Sequence, residues 1–138
     1  MSYDTLDLSV LKIIATNKKY ALDFVSVNDN AIFSDNLYNF SKTLLGYVKL
    51  YKDVPTLRVM LERLPKKAHE KTIESFKEIW HAIESHSYDE KEFYHDVSKM
   101  KKRFADKKII ELKERLNKAD TSNLDIDATI KEAQSTIQ

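Results

Sequence analysis

Apolar residues in this chain recur at intervals of three and four for most of its length, the spacing that gathers side chains on one side of an α-helix and predicts an all-α protein. The longest run is Phe93, Val97, Met100 and Phe104, continued by Ala105, Ile109, Leu112 and Leu116. It reads as a single stripe on a helix over about residues 89–117. After the polar stretch Thr121-Ser122-Asn123, the spacing resumes at Ile126, Ile130, Ala133 and Ile137. Two stripes joined by a turn predict a long antiparallel helical hairpin. At 1.5 Å per residue the first arm spans ~40 Å, more than the second can cover. Part of its apolar stripe is therefore expected to lie against something else, and Phe93, Val97, Met100, Phe104, Ile109, Leu112, Leu116, Ile126 and Ile130 are the candidate subunit or partner interface.

Upstream, the pattern predicts a compact multi-helix head. Thr5 or Asp7 can cap a first helix bearing Leu6, Val10, Leu11, Ile13 and Ile14, interrupted at Asn17. Tyr20, Leu22, Phe24 and Val25 suggest a second. Asn28-Asp29-Asn30 has turn chemistry, because short amide and carboxylate side chains bond their own backbone, and Phe33 beside it is a core residue. Ser34 or Asp35 can cap a third helix reaching about Tyr51, with Leu37, Phe40, Leu44, Val48 and Tyr51 on its apolar side. Val54-Pro55-Thr56 breaks it, and Thr56 caps a fourth that ends at Pro65. A fifth covers about residues 68–85 through Ile73, Phe76, Ile79, Trp80 and Ile83. Asp89-Glu90 then suit the positive dipole end of the long arm. The expected organisation is a globular head over residues 1–86 and a hairpin over 87–138.

Composition narrows the function classes. A chain of 138 residues fits one domain and can bury roughly 68% of its unfolded surface. Cysteine is absent, which removes disulfides, thiolate metal sites and thiol nucleophiles and is compatible with a reducing cytoplasm. No stretch approaches the ~20 apolar residues of a membrane helix, so no membrane partner is expected and the chain reads as soluble and cytoplasmic. Gly46 is the only glycine, and a phosphate-cradling loop needs several together with Gly-Lys-Ser/Thr. These residues hold no P-loop, no cofactor is implied, and the chain itself is not expected to be an enzyme.

Charge is nearly balanced, with 23 basic and 22 acidic residues, so no global field marks a nucleic-acid binder. Locally, Lys99, Lys101, Lys102, Arg103, Lys107, Lys108, Lys113, Arg115 and Lys118 stand against Asp106, Glu111 and Glu114. Lys101, Lys102, Arg103, Lys107 and Lys108 are candidates for sequence-independent phosphate contact. The plainer reading is a solvated helix surface laced by Glu111–Arg115 and Glu114–Lys118 pairs. His81 and His86 are five apart, not the four of a helical zinc site, and His95 and Asp96 are adjacent and point apart, so neither metal binding nor catalysis is assigned. Trp80 is either the head's core anchor or a partner hot spot.

Taken in order, Phe33, the Leu37-to-Tyr51 helix, Val54-Pro55-Thr56, Leu57 with Leu61, and the arm carrying Phe93, Val97, Lys101-Lys102-Arg103 and Ile109-Ile110-Glu111-Leu112 resemble the N-terminal domain of DnaB-type replicative DNA helicases. Ile130-Lys131-Glu132-Ala133 and Ile137 extend the likeness over almost the whole chain. Leu11 is followed by Lys12 where many bacterial members carry a small residue, and Val54-Pro55-Thr56 is nearer to phage-encoded members. The resemblance implies a self-associating hairpin that also receives primase or a helicase loader, in a bacterial or phage-infected cell. It further implies an ATP-dependent helicase as the full-length parent. The alternative is a stand-alone helical adaptor, a loader or a helicase inhibitor.

Overall fold

Asp4, one residue before the expected cap, begins the first helix: its carboxylate accepts the Asp7 N–H at 3.1 Å. The computed structural model describes residues 3–118, and among them there are six α-helices and no strand. They are α1 (Thr5–Thr16), α2 (Lys18–Val27), α3 (Tyr38–Tyr51), α4 (Leu57–Glu62), α5 (Glu70–Ser85) and α6 (Phe93–Lys118). Short 3-10 turns at Asn30–Ile32, Asp35–Leu37 and Glu90–Glu92 link them. The all-α expectation holds. The hairpin's turn at Thr121-Ser122-Asn123 and its second arm, with Ile126, Ile130, Ala133 and Ile137, lie outside the described residues.

Local chemistry explains each boundary. Asn17 ends α1 and caps α2 through the Tyr20 N–H, so one residue serves two helices without a loop between them. Asp29 caps the turn at Ala31, and Thr56 caps α4 through the Val59 N–H at 3.3 Å. α3 ends at Lys52, which sits at φ 57°, and whose N–H reaches the Val48 carbonyl at 2.9 Å. Glycine is the usual residue in that left-handed conformation, so a lysine there costs about 1 kcal/mol. The chain's only glycine is instead inside α3, where it costs about 1 kcal/mol relative to alanine.

The first compact unit ends at Val97 and the second begins at Ser98. The core of the first draws on all the helices that precede α6. Val10, Leu11 and Ile14 of α1, Phe24 of α2, Phe40 and Leu44 of α3, Met60 of α4, and Phe76, Ile79 and Ile83 of α5 are at most 1% exposed. Phe33 is buried as expected, with its ring 5.8 Å from that of Phe24. Phe40 meets Phe76 edge-on at 5.2 Å and Trp80 at 6.3 Å. Trp80 is half-buried, so Phe76, Ile79 and Ile83 are the enclosed anchors of α5. Each such side chain contributes roughly 1.5–3 kcal/mol on leaving water.

Two polar joints complete this unit, neither of them visible as periodicity. Asp7, wholly enclosed, accepts hydrogen bonds from the Ser34 N–H at 3.1 Å and from the Ser34 hydroxyl, fixing α1 to the chain before α3. The Ser9 hydroxyl lies 2.9 Å from the Thr5 carbonyl, to which it donates, and 2.8 Å from His86 Nε2. Lys12 Nζ donates to the His86 carbonyl. His86 thus ties the C-terminal cap of α5 to α1.

Candidate docking surfaces

α6 is a single helix of 26 residues, and its side chains do not all serve one face. Phe93 is 1% exposed, its ring lying 4.8 Å from that of Tyr20 and 5.2 Å from that of Tyr94. Tyr94 in turn donates its hydroxyl to Asp23 Oδ2 at 2.6 Å. These contacts hold the first turn of α6 against α2, and they carry the first compact unit past residue 86. Val97 and Met100 are also buried, at 8% and 0% exposure. The expectation that Phe93, Val97 and Met100 face a partner is therefore corrected: these side chains are already out of water in the single chain, and a partner gains no apolar area from them. Leu112, at 5% exposed, is corrected on the same ground. Phe104, Ile109 and Leu116 are half-buried, and Ile126 and Ile130 lie outside the described residues.

Helix geometry accounts for the mixture. At about 100° per residue, Met100 and Phe104 are centred on one direction, and Ala105, Ile109, Leu112 and Leu116 on another about 130° away. What reads along the chain as one stripe is two, with the change of side falling between Phe104 and Ala105. Ile110 belongs to neither stripe and is 56% exposed. Its outward position was legible from its being adjacent to Ile109, whose direction the second stripe fixes.

The five basic candidates separate in the same way. Lys101 and Lys108, seven apart, share one side of α6, whereas Arg103 and Lys107, four apart, share a side about 130° from it, and Lys102 lies on neither. The structure brings Lys102, Arg103 and Lys107 to the lining of one recess, which Lys101 and Lys108 do not join. Lys108 is 3.8 Å from Glu111 and lies 5.4 Å from the centre of the Phe104 ring. The ion pair at Glu111 is thus with Lys108, where the sequence suggested Arg115. Around Ile110 a shallow recess is lined by Lys99, Lys102, Arg103, Asp106, Lys107, Glu111 and Glu114. Its cations lie toward the start of α6 and two of its three acids toward the end.

Elsewhere, the Tyr88 hydroxyl is buried and faces the Asp96 carboxylate without closing a hydrogen bond of normal geometry. Burial first, then Asp96, pushes the Tyr88 phenol well above its usual range. Tyr94 is also raised, mainly by its hydrogen bond to Asp23. Asp96 is buried while His95 is exposed, so the two adjacent side chains do point apart. Among the described residues no group of three metal-ligating side chains gathers, and no helix is long and apolar enough to cross a membrane. No protein family, no curated protein and no solved structure matches the chain.

Proposed function

We propose that this chain is an assembly and partner-docking module, the N-terminal domain of a DnaB-type replicative DNA helicase. It holds subunits together through α6 and receives primase or a loader. The observation that carries this reading is Ile110, more than half exposed on α6 beside a shallow recess. Two such sides laid antiparallel enclose Ile110 between them. The apolar area removed from water contributes ~25 cal/mol per Å², from which the cost of immobilising two molecules is deducted.

The order of elements, a five-helix head followed by one much longer helix, supports the same reading. The role assigned to these residues is binding, and any DNA contact is confined to scattered cations on α6. Light scattering from the full chain over a concentration series tests the assembly: its mass rises above that of one chain as concentration increases, and a mass that stays monomeric throughout contradicts it. A Gly-Lys-Ser/Thr segment in the same reading frame downstream separates a helicase domain from a free adaptor.

A further inference from the structure

The exposed side of α3 carries residues that the chain's own packing does not require. Leu50 is 64% exposed and Tyr51 54%. The Tyr47 and Tyr51 rings lie 4.6 Å apart, and the Arg63 guanidinium, just after α4, stands 5.6 and 5.5 Å from their centres. Cation–π attraction holds Arg63 there. Gly46 sits one turn before Leu50, and a Cβ placed on it would meet nothing within 4 Å. Alanine would fit this position and make a better helix, so nothing among the described residues accounts for the glycine. Lys52, the strained left-handed residue, adjoins Tyr51. Local departures from the most stable choice concentrate where a surface has another task.

Charge indicates the occupant. α3 contains no carboxylate, and its charged side chains are Lys42 and Lys49, both exposed. Beside this surface, Asp53 accepts the Val54 N–H at 2.8 Å, and Glu62 lies 3.8 Å from Arg58. We infer that this side of α3, with Arg63, docks an acidic amphipathic helix of a partner protein. The absent side chain at Gly46 lets that helix come close, its apolar side packs across Gly46 between Tyr47 and Leu50, and its carboxylates face Lys42, Lys49 and Arg63. Tyrosine and arginine at the centre are the residue types that carry interface energy. A single nucleic-acid strand is the less suitable occupant: it needs open ring faces for stacking, and here Arg63 covers the ring pair, while the aliphatic Leu50 offers a base little.

The surface is distinct from α6 and is tested separately, by fluorescence anisotropy of the full chain with a labelled helical peptide carrying leucine on one side and glutamate on the other. The glutamate peptide saturates, and affinity falls as salt is raised. Leu50→Glu and Gly46→Leu each weaken it about tenfold or more. Gly46→Leu keeps or raises the thermal midpoint, since it replaces glycine inside a helix, so its loss of binding is not loss of fold. Ile110→Glu leaves peptide affinity unchanged. The inference is overturned if the peptide fails to saturate, if its lysine-for-glutamate twin binds as well, if Gly46→Leu and Leu50→Glu bind like the parent chain, or if oligothymidylate displaces the peptide.

Discussion

The carboxylate of Asp7 accepts both the N–H and the hydroxyl of Ser34, joining α1 to the chain entering α3 across 27 positions of sequence. Asp7 is wholly enclosed and Ser34 half-buried. A charged acceptor of this kind contributes about 1.5–3 kcal/mol, and removing it strands two donors. Asp7→Ala is expected to lower unfolding free energy by about 2–3 kcal/mol, read by urea denaturation with circular dichroism. Asp7→Asn recovers part of that because one acceptor oxygen remains. An alanine variant as stable as the parent would remove Asp7 from the framework.

Phe93 is predicted to behave as core. Its ring is enclosed against Tyr20 and Tyr94, so Phe93→Ala should cost about 3–5 kcal/mol, the usual range for a buried phenylalanine, with loss of helicity at a lower urea concentration. Had the ring served a subunit interface, the same substitution would have lowered association while leaving the urea midpoint of the monomer in place.

Most of the fold was legible because helices state themselves twice, in the spacing of apolar residues and in their caps. Thr56 before α4 and the Val54-Pro55 break needed only local chemistry, and Phe33 as a core residue followed from its place beside a turn. Thr5 or Asp7 was expected as the first cap and Asp4 serves instead; all three are competent, and the Asp4 carboxylate's bond to the Asp7 N–H decides among them. The candidate interface was less legible. A list of apolar positions does not record direction: the step from Phe104 to Ala105 changes the side of the helix, and only converting positions to angles shows it. That Phe93 is consumed by Tyr20, 73 positions earlier in the chain, is a tertiary fact with no local signal. The same holds for His86 and Ser9.

Tyr88 gives the account a pH dependence. Folding raises its phenol above the ordinary tyrosine value near 10, through burial and then through Asp96, so the native state holds that proton more tightly than the unfolded chain does. The corresponding stability is fully present below about pH 10 and is lost as pH rises beyond it. Denaturation midpoints taken between neutral pH and pH 11 should fall at the alkaline end, and Tyr88→Phe should flatten that fall. At neutral pH the same variant is expected to be nearly neutral, since the hydroxyl it deletes is buried without a hydrogen bond of normal geometry. Equal alkaline slopes for parent and variant would show that Tyr88 titrates as an ordinary tyrosine.

The central claim is that α6 joins copies of this chain through the side bearing Ile110. Sedimentation equilibrium of the parent chain and of Ile110→Glu at matched concentrations tests it most directly. The parent mass climbs from 16.1 kDa toward a multiple of it, and the variant is equally helical but shifted at least about tenfold toward monomer. Parent and variant with superimposable mass profiles, whether both associate or both remain at one chain, would contradict it.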